Sequence, residues 1–409
     1  MNNKKETTLG NITVSIFDGK HGDCEDEPNT GYYFVSVKDL KEYDIDYSKA
    51  RQITENDFVQ NYKRTNLENG DTVYANTGDT IGESIFVKDN PLVKNTSFQK
   101  SVAILKPNVN YVEPRYLYYL LKFETPRLRS ASTGSGQKNL LLSTMRSFEL
   151  SIHDKRNQKK IIAVLGSIDD KIRCNNQIND NLQQQLKLMY DYWFTQFDYP
   201  NNEGKPYRSS GGTMHWNEEL KRDIPDGWTV KSLGEILHKN KESFDYKTIQ
   251  PAIDLSVMPS DTIALSQLNS SENFNTNLFV MKQGDILFGS IRPYLHKAGF
   301  APIDGVVAGT VHSYSVKNPT DYNFALFTLC RRAFFDYAVN VSSGTKMPVI
   351  SSDSLLSYKL PYSEEIAAAF NKVDIVDIIS QNIQETIRLN NLLDFLLPML
   401  MNGQATISD

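Results

Sequence analysis

The sequence predicts an α+β protein: two similar mixed α/β domains separated by an antiparallel two-helix coiled coil, related by a pseudo-twofold internal repeat. Three observations carry this. Short segments recur in the same order in both halves of the chain. Each half closes on a long helical pattern. The first of those helices is mostly polar, yet it keeps one thin apolar stripe.

The repeats come first. "TTLGNI" (7–12) echoes "KSLGEI" (231–236), and "NGDTVYA" (69–75) echoes "QGDILFG" (283–289). "SGQKNLLLS" (135–143) echoes "SGTKMPVIS" (343–351), and "SFELSI" (147–152) echoes "SYKLPY" (357–362). "IAVLGSIDDKI" (162–172) echoes "IAAAFNKVDIV" (366–376). The offset runs from 224 through 214, 208 and 210 to 204–205, so insertions separate two copies of one unit. The expected boundaries are a first domain over 1–153, a first spacer helix over 154–197 and a linker over 198–227. A second domain over 228–362, a second spacer helix over 363–400 and a tail over 401–409 follow.

Within each domain, "DTVYA", "KSVAILKP", "DILFG" and "HSYSV" have strand length and strand composition. "PRYLYYLLKFE" (114–124) and "YNFALFTLCRRAFFDYAV" (322–339) read as helices, with Pro114 suited to a first helical position. Glycine-rich turns, "STGSGQKN" and "VSSGTKMP", follow them. The stretch 198–228 is rich in Pro, Gly, Ser and Asn and reads as a crossing loop.

In the first long helix the stripe is Ile161, Leu165, Ile168, Ile172, Asn175, Asn179, Leu182, Leu186, Met189 and Trp193. Steps of four and three alternate, which makes a heptad seam interrupted by two asparagines. From Asn157 to Phe194 a rod of about 57 Å follows at 1.5 Å per residue. Its partner is the repeat of itself: Ile366, Phe370, Val373, Val376, Ile379, Ile383 and Ile387, ended by Pro398. The competing reading is two ordinary amphipathic helices in separate domains, which leaves the asparagine break unexplained.

Composition bounds the function. The chain has 409 residues, 40% hydrophobic and 23% charged, as expected of a globular protein. No run of 18 apolar residues occurs, so no membrane span is expected. Cys24, Cys174 and Cys330 lie far apart with no CxxC pair, which fits a reducing, cytoplasmic location. The formal net charge is −5, but it is unevenly spread. Residues 94–160 carry 13 Lys and Arg against 4 Asp and Glu, and residues 282–360 carry 8 against 5. Acid gathers at 23–27 and in the last 49 residues, which hold 2 bases and 7 acids. Phosphate binding needs a local basic face rather than a basic whole, although solvated surface gives the same counts.

Catalytic signatures are missing. The sequence has no GxGxxG, Walker A, H-E-x-x-H or G-x-S-x-G motif, and no Asn/Asp-Pro-Pro-aromatic loop. Metal ligation has little support from six scattered histidines. One alternative is a self-contained Mg-dependent nuclease of the P-D…D-x-K type, with Asp226, Asp245 and Lys247 after Pro225; two carboxylates would hold the ion and a lysine the attacking water. A third reading is a coiled-coil scaffold that never touches DNA.

The nucleic-acid signals are stronger. The two Gly-rich turns occupy matching places in the repeats. Small residues let backbone approach phosphate, and Lys138 and Lys346 supply charge. Thr133, Ser135, Gln137, Asn139, Ser343 and Thr345 could reach base edges. Arg292 in "SIRPYLHK" is a further DNA-binding candidate. The crowded "YDYWFTQFDYP" has more aromatics than a two-helix seam can bury. Tyr190, Tyr192, Trp193, Phe194 and Phe197, with Phe395 and Leu396 of the closing helix, are therefore expected to anchor a protein partner; burial in the chain's own domain is the competing reading.

Taken together, "IAVLGSIDDKIRCNNQIN", "LMYDYWFTQFDYP", "NEGKPYRSSGG", "IPDGWTVKSLGEI", "TGSGQKNL" and "NNLLDFLLPMLMNGQ" resemble the specificity subunit of type I restriction–modification systems. The likeness covers nearly the whole chain and is most specific in the helix and linker. It implies two target-recognition domains, each reading half of a split site in double-stranded DNA. It implies a coiled coil that sets the gap and docks two methyltransferase subunits, with endonuclease/translocase subunits completing the complex. The chain itself would be non-catalytic and hold no cofactor or metal; S-adenosylmethionine, ATP and Mg belong to the partners. The first half lacks the "PDGW" lead-in of the second, so its domain is expected to be trimmed at that edge.

Overall fold

The computed structural model describes residues 4–41, 43–134 and 136–407. They form two compact units, one of residues up to 171 together with those from 391 onward, the other of residues 172–390.

The first unit runs through β1 (Lys4–Thr8), β2 (Thr13–Asp18), β3 (Tyr33–Val35), β4 (Arg51–Gln52), α1 (Glu55–Thr65), β5 (Thr72–Ala75), β6 (Ser84–Phe86), β7 (Thr96–Phe98), β8 (Val102–Pro107), α2 (Pro114–Ser130), α3 (Leu142–Ser147), β9 (Glu149–His153) and into α4 (Lys155–Tyr190). An antiparallel sheet of order β2-β8-β5-β6 lies beside a smaller one of order β4-β3-β7, in which β3 and β7 are parallel. β1 and β9 pair separately. All four residues of β5 are buried, which is why "TVYA" shows no polar alternation. α2 begins with Pro114 at its first turn, as expected, and buries Tyr116, Leu117, Tyr119, Leu120 and Leu121.

The second unit repeats the plan. It contains β10 (Met214–Asn217), β11 (Arg222–Pro225), β12 (Thr229–Ser232), α5 (Leu233–Ile236), β13 (Leu237–Lys239), β14 (Pro251–Ile253), β15 (Asn269–Ser270), β16 (Leu278–Met281), β17 (Ile286–Gly289), β18 (Ala298–Phe300), β19 (Gly305–Ala308), β20 (Val311–Val316), α6 (Tyr322–Leu329), α7 (Arg332–Asn340), α8 (Ser352–Leu356), β21 (Lys359–Tyr362), α9 (Glu364–Asn371) and part of α10 (Ile375–Asn402). Its main sheet, β13-β20-β17-β18, matches β2-β8-β5-β6 strand for strand. The small sheet β15-β14-β19-β16 again holds a parallel pair, β14 with β19. The copies differ where α1 stands between the fourth strand and β5 in the first; the second has β16 there. β12 pairs with β21 as β1 pairs with β9.

The long helices follow the expected stripe. Ile161, Leu165, Ile168, Ile172, Asn175, Asn179 and Leu186 are buried, as are Phe370, Val376, Ile379 and Ile383. In the second unit the two tails run antiparallel. Asn175 Nδ2 donates to Glu385 Oε2 at 2.8 Å, and Asn382 Nδ2 donates to Asn179 Oδ1 at 2.9 Å, so advancing along α4 means retreating along α10. The asparagine break is thus a cross-helix polar layer of the kind that fixes register.

Four expectations need correction. The second tail is not one helix: it breaks after Asn371, where Asn323 Nδ2 takes the Phe370 and Val373 carbonyls, both at 3.3 Å. Pro398 does not end α10, which runs on to Asn402. The stretch 322–339 is two helices, because Arg331 is extended (φ −78°, ψ 145°) and carries its guanidinium over the Tyr190 ring, 5.1 Å from its centre. The stretch 198–228 is not a bare loop. It holds the β10–β11 hairpin; Tyr199 stacks on Tyr207 and Trp228, and the Asp198 carboxylate accepts the Ser209 N–H at 2.7 Å.

Candidate nucleic-acid interface

The two Gly-rich turns are built alike from the backbone outward. In the first, the Thr133 and Asn139 main chains bond each other at 3.0 and 2.7 Å, closing a short hairpin. In the second, Ser343 and Val349 do the same at 3.0 and 2.9 Å. Gly134 (φ +121°) and Gly344 (φ +96°) turn the chain at the same place. A Cβ there would lie 2.5 Å from the Gln137 carbonyl oxygen or 2.9 Å from that of Met347, so each turn requires glycine.

Each hairpin is then pinned to the loop that leaves an inner strand of its main sheet. After β5, Gly78 N–H donates to the Lys138 carbonyl at 2.7 Å, and Leu140 N–H donates to that of Asn76 at 2.8 Å. After β17, Arg292 N–H donates to the Pro348 carbonyl at 2.7 Å, and Ile350 N–H donates to that of Ser290 at 2.9 Å. Leu140 and Ile350 are fully buried beneath. His312 Nε2 lies 3.1 Å from the Ile350 carbonyl; burial lowers its pKa, so the neutral ring donates there.

This pairing corrects the match drawn from the sequence. The hairpins correspond with an offset of 210, as Gly134 with Gly344 and Leu140 with Ile350 require, and not the 208 that aligns "GQK" with "GTK". Lys138 therefore corresponds to Pro348, and Lys346 to Gly136. The two lysines are not equivalents.

Thr133, Gln137, Lys138 and Asn139 are exposed on the first hairpin, and Ser343, Thr345 and Lys346 on the second. Arg292 is exposed beside the second. Ser135 lies outside the described residues. The structure thus brings four candidates together in one unit and four in the other. Sequence singled out the second platform, residues 290–292, through Arg292 but not the first, residues 76–78, although its signal lay just beyond the "NGDTVYA" echo. A cleft of about 890 Å³ opens beside the first hairpin. Lys38, Lys41, Lys49 and Arg51 share its wall with Gly78 and Gln137, and Asp39, Asp79 and Glu83 temper the charge. Arg51 is already held by Asp23 and Asp26, at 2.8 and 2.6 Å.

The aromatic cluster divides. Tyr190, Phe194 and Phe197 are buried among the second unit's own rings, which departs from the expected partner contact. Phe194 has Phe324 at 4.7 Å, Tyr190 at 4.9 Å and Phe370 at 5.4 Å between ring centres; Phe197 has Trp228 at 5.3 Å. Trp193 is partly buried against the same cluster. Tyr192 and Phe395 are exposed and Leu396 is half-buried.

For the nuclease alternative, Lys247 Nζ is paired with Asp245 Oδ2 at 2.8 Å, and Asp226 sits in the turn after β11. Among the described residues no group of three or more His, Cys, Asp or Glu could hold a metal ion. No helix among them is long and apolar enough to cross a membrane.

The model of the type I restriction modification DNA specificity domain matches residues 23–184. The chain is 32% identical over 208 residues to the type I restriction enzyme MjaIX specificity subunit of Methanocaldococcus jannaschii, covering 50% of this chain and 44% of the relative. It is 27% identical over 205 residues to the HindI specificity subunit of Haemophilus influenzae, covering 48% and 42%. These two matches thus span less than half of each relative. The MjaVIII specificity subunit of M. jannaschii is 23% identical over 421 residues, covering 98% of this chain and 92% of the relative. In fold, the chain is similar to the crystal structure of a type I restriction–modification S subunit from M. genitalium, with a TM-score of 0.57 at 14% identity, covering 98% and 96%.

Proposed function

We propose, from the premise that this chain belongs to the type I restriction–modification DNA specificity family, that it reads a split target in double-stranded DNA through two recognition domains. The observation that carries this is the duplicated hairpin. The same backbone pinning, on the same strand of the same sheet, presents two different sets of polar side chains. Such a scaffold suits a reader that keeps its geometry and varies its chemistry.

The recognition domains are residues 1–153 and 228–362, joined by 198–227. Residues 154–197 and 363–402 are the spacer, and 403–409 the tail. Lys138 and Lys346 neutralise backbone phosphates, while Gln137, Asn139, Thr345 and Arg292 face base edges in the major groove. Tyr192, Trp193, Phe395 and Leu396 are the available anchors for two methyltransferase subunits. Those subunits bring S-adenosylmethionine, and the endonuclease/translocase subunits bring ATP and Mg chemistry. This chain's residues position DNA and catalyse nothing.

The test is to map methylated adenines in DNA exposed to the chain with the methyltransferase subunit of its own system. Two short specified blocks separated by a fixed unspecified gap are expected. A single continuous target, or methylation indifferent to this chain, overturns the reading.

A further inference from the structure

The two hairpins meet their platforms with opposite chemistry. In the first unit the platform residue is Gly78 (φ +73°), and the Gln137 side chain lies over it, with Nε2 3.4 Å from where a Cβ would be. In the second unit the same backbone position is Arg292, also left-handed (φ +53°, ψ 62°), and the residue matching Gln137 is Met347. Left-handed backbone is natural for glycine and unfavourable for a long side chain. The turn needs that backbone in both copies, so glycine would serve the fold better at 292. Arg292 thus carries an unfavourable backbone while its guanidinium is left exposed. That guanidinium is exposed and makes no hydrogen bond or ion pair among the described residues, and the Gln137 amide makes none either.

We propose that, among the side chains facing base edges, Gln137 and Arg292 are the equivalent pair of the two halves, filling one structural position from opposite loops. The geometry of their end groups then assigns the base. A glutamine amide pairs two-point with adenine N6 and N7, and an arginine with guanine O6 and N7. The first half-site therefore carries an A·T pair at this position, and the second a G·C pair. The proposal rests on the DNA-reading function above.

The test uses the full chain with its methyltransferase subunit. Methylation mapping of the natural chain first establishes the target; failure at that step overturns the function and not this assignment. With a target in hand, Arg292→Gln is expected to replace one G·C pair in one half-site by A·T, and Gln137→Arg to make the reverse change in the other half. Arg292→Gly is expected to lose about ten- to hundred-fold discrimination at that single pair. It should also raise the thermal midpoint by about 2–4 °C, because the strained residue is gone. An unchanged target in Arg292→Gln and Arg292→Gly overturns the assignment. So does a uniform weakening on all sequences with a shallower salt slope, which marks a phosphate contact. A lower midpoint in Arg292→Gly removes the strain on which the inference stands.

Discussion

Phe194→Ala separates burial from docking in the aromatic cluster. The Phe194 ring is 2% exposed and sits within 4.7–5.4 Å of Phe324, Tyr190 and Phe370, centre to centre. Truncation removes a buried ring from a closely filled site. Such changes cost about 3–5 kcal/mol through lost transfer energy plus the cavity left behind. Three edge and tilted ring contacts place this site toward the upper end. Each kcal/mol moves the midpoint of a unit this size by about 2–4 °C, so a fall of roughly 6–20 °C is expected in calorimetry. Tyr192, two residues earlier and exposed, is the control. Tyr192→Ala should leave the midpoint unchanged and weaken methyltransferase binding in titration. If Phe194→Ala shifted the midpoint by less than about 2 °C while abolishing subunit binding, the ring would be a partner anchor and the packing described here wrong.

Three further expectations follow from particular contacts. Asn179→Leu leaves Asn382 Nδ2 without its acceptor inside the helix pair and should cost about 1–2 kcal/mol in urea unfolding; Asn179→Ser should recover part of this. His153 is buried, takes the Tyr116 hydroxyl at 2.8 Å, and has its pKa pushed down to about 4 by burial and the Lys4 charge. It stays neutral in the fold but protonates near 6.5 when unfolded, so its stability is intact above about pH 6.5 and is lost as the pH falls toward 4. Roughly 2 kcal/mol should be gone by pH 5, and His153→Gln should flatten that slope in pH-dependent denaturation. Lys138→Ala should reduce the slope of log binding against log salt by about one unit, equally on all sequences.

The duplication, the main-sheet strands and the buried stripe of the first helix were legible in sequence. Each is written in local periodicity or in repeated letters. What escaped reading was set by partners distant in the chain. The break after Asn371 depends on a side chain at 323 reaching the freed carbonyls. The kink at Arg331 depends on Tyr190, more than a hundred residues away. Pro398 costs α10 one backbone hydrogen bond and its extension toward Asn402 survives. The hairpins were found, but their register was wrong by two, because the lettering "G-x-K" was matched where the deciding bonds run to residues 76–78 and 290–292. The aromatic run showed that large rings were crowded together, and periodicity alone carried no information on whether the chain's own α6 and α9 or another molecule covered them.

The bonds from Gly78 and Leu140 in the first unit, and from Arg292 and Ile350 in the second, pin each hairpin to its platform through main-chain groups, and a peptide N–H or C=O is the same whatever side chain it bears. Residues 136–138 and 346–348 can therefore change identity while the mounting stays put. On the proposed reading, mutation at these tips would alter what is sensed without endangering the framework, much as a tool holder accepts a new bit. A reader built this way would acquire new preferences one substitution at a time, each intermediate remaining folded.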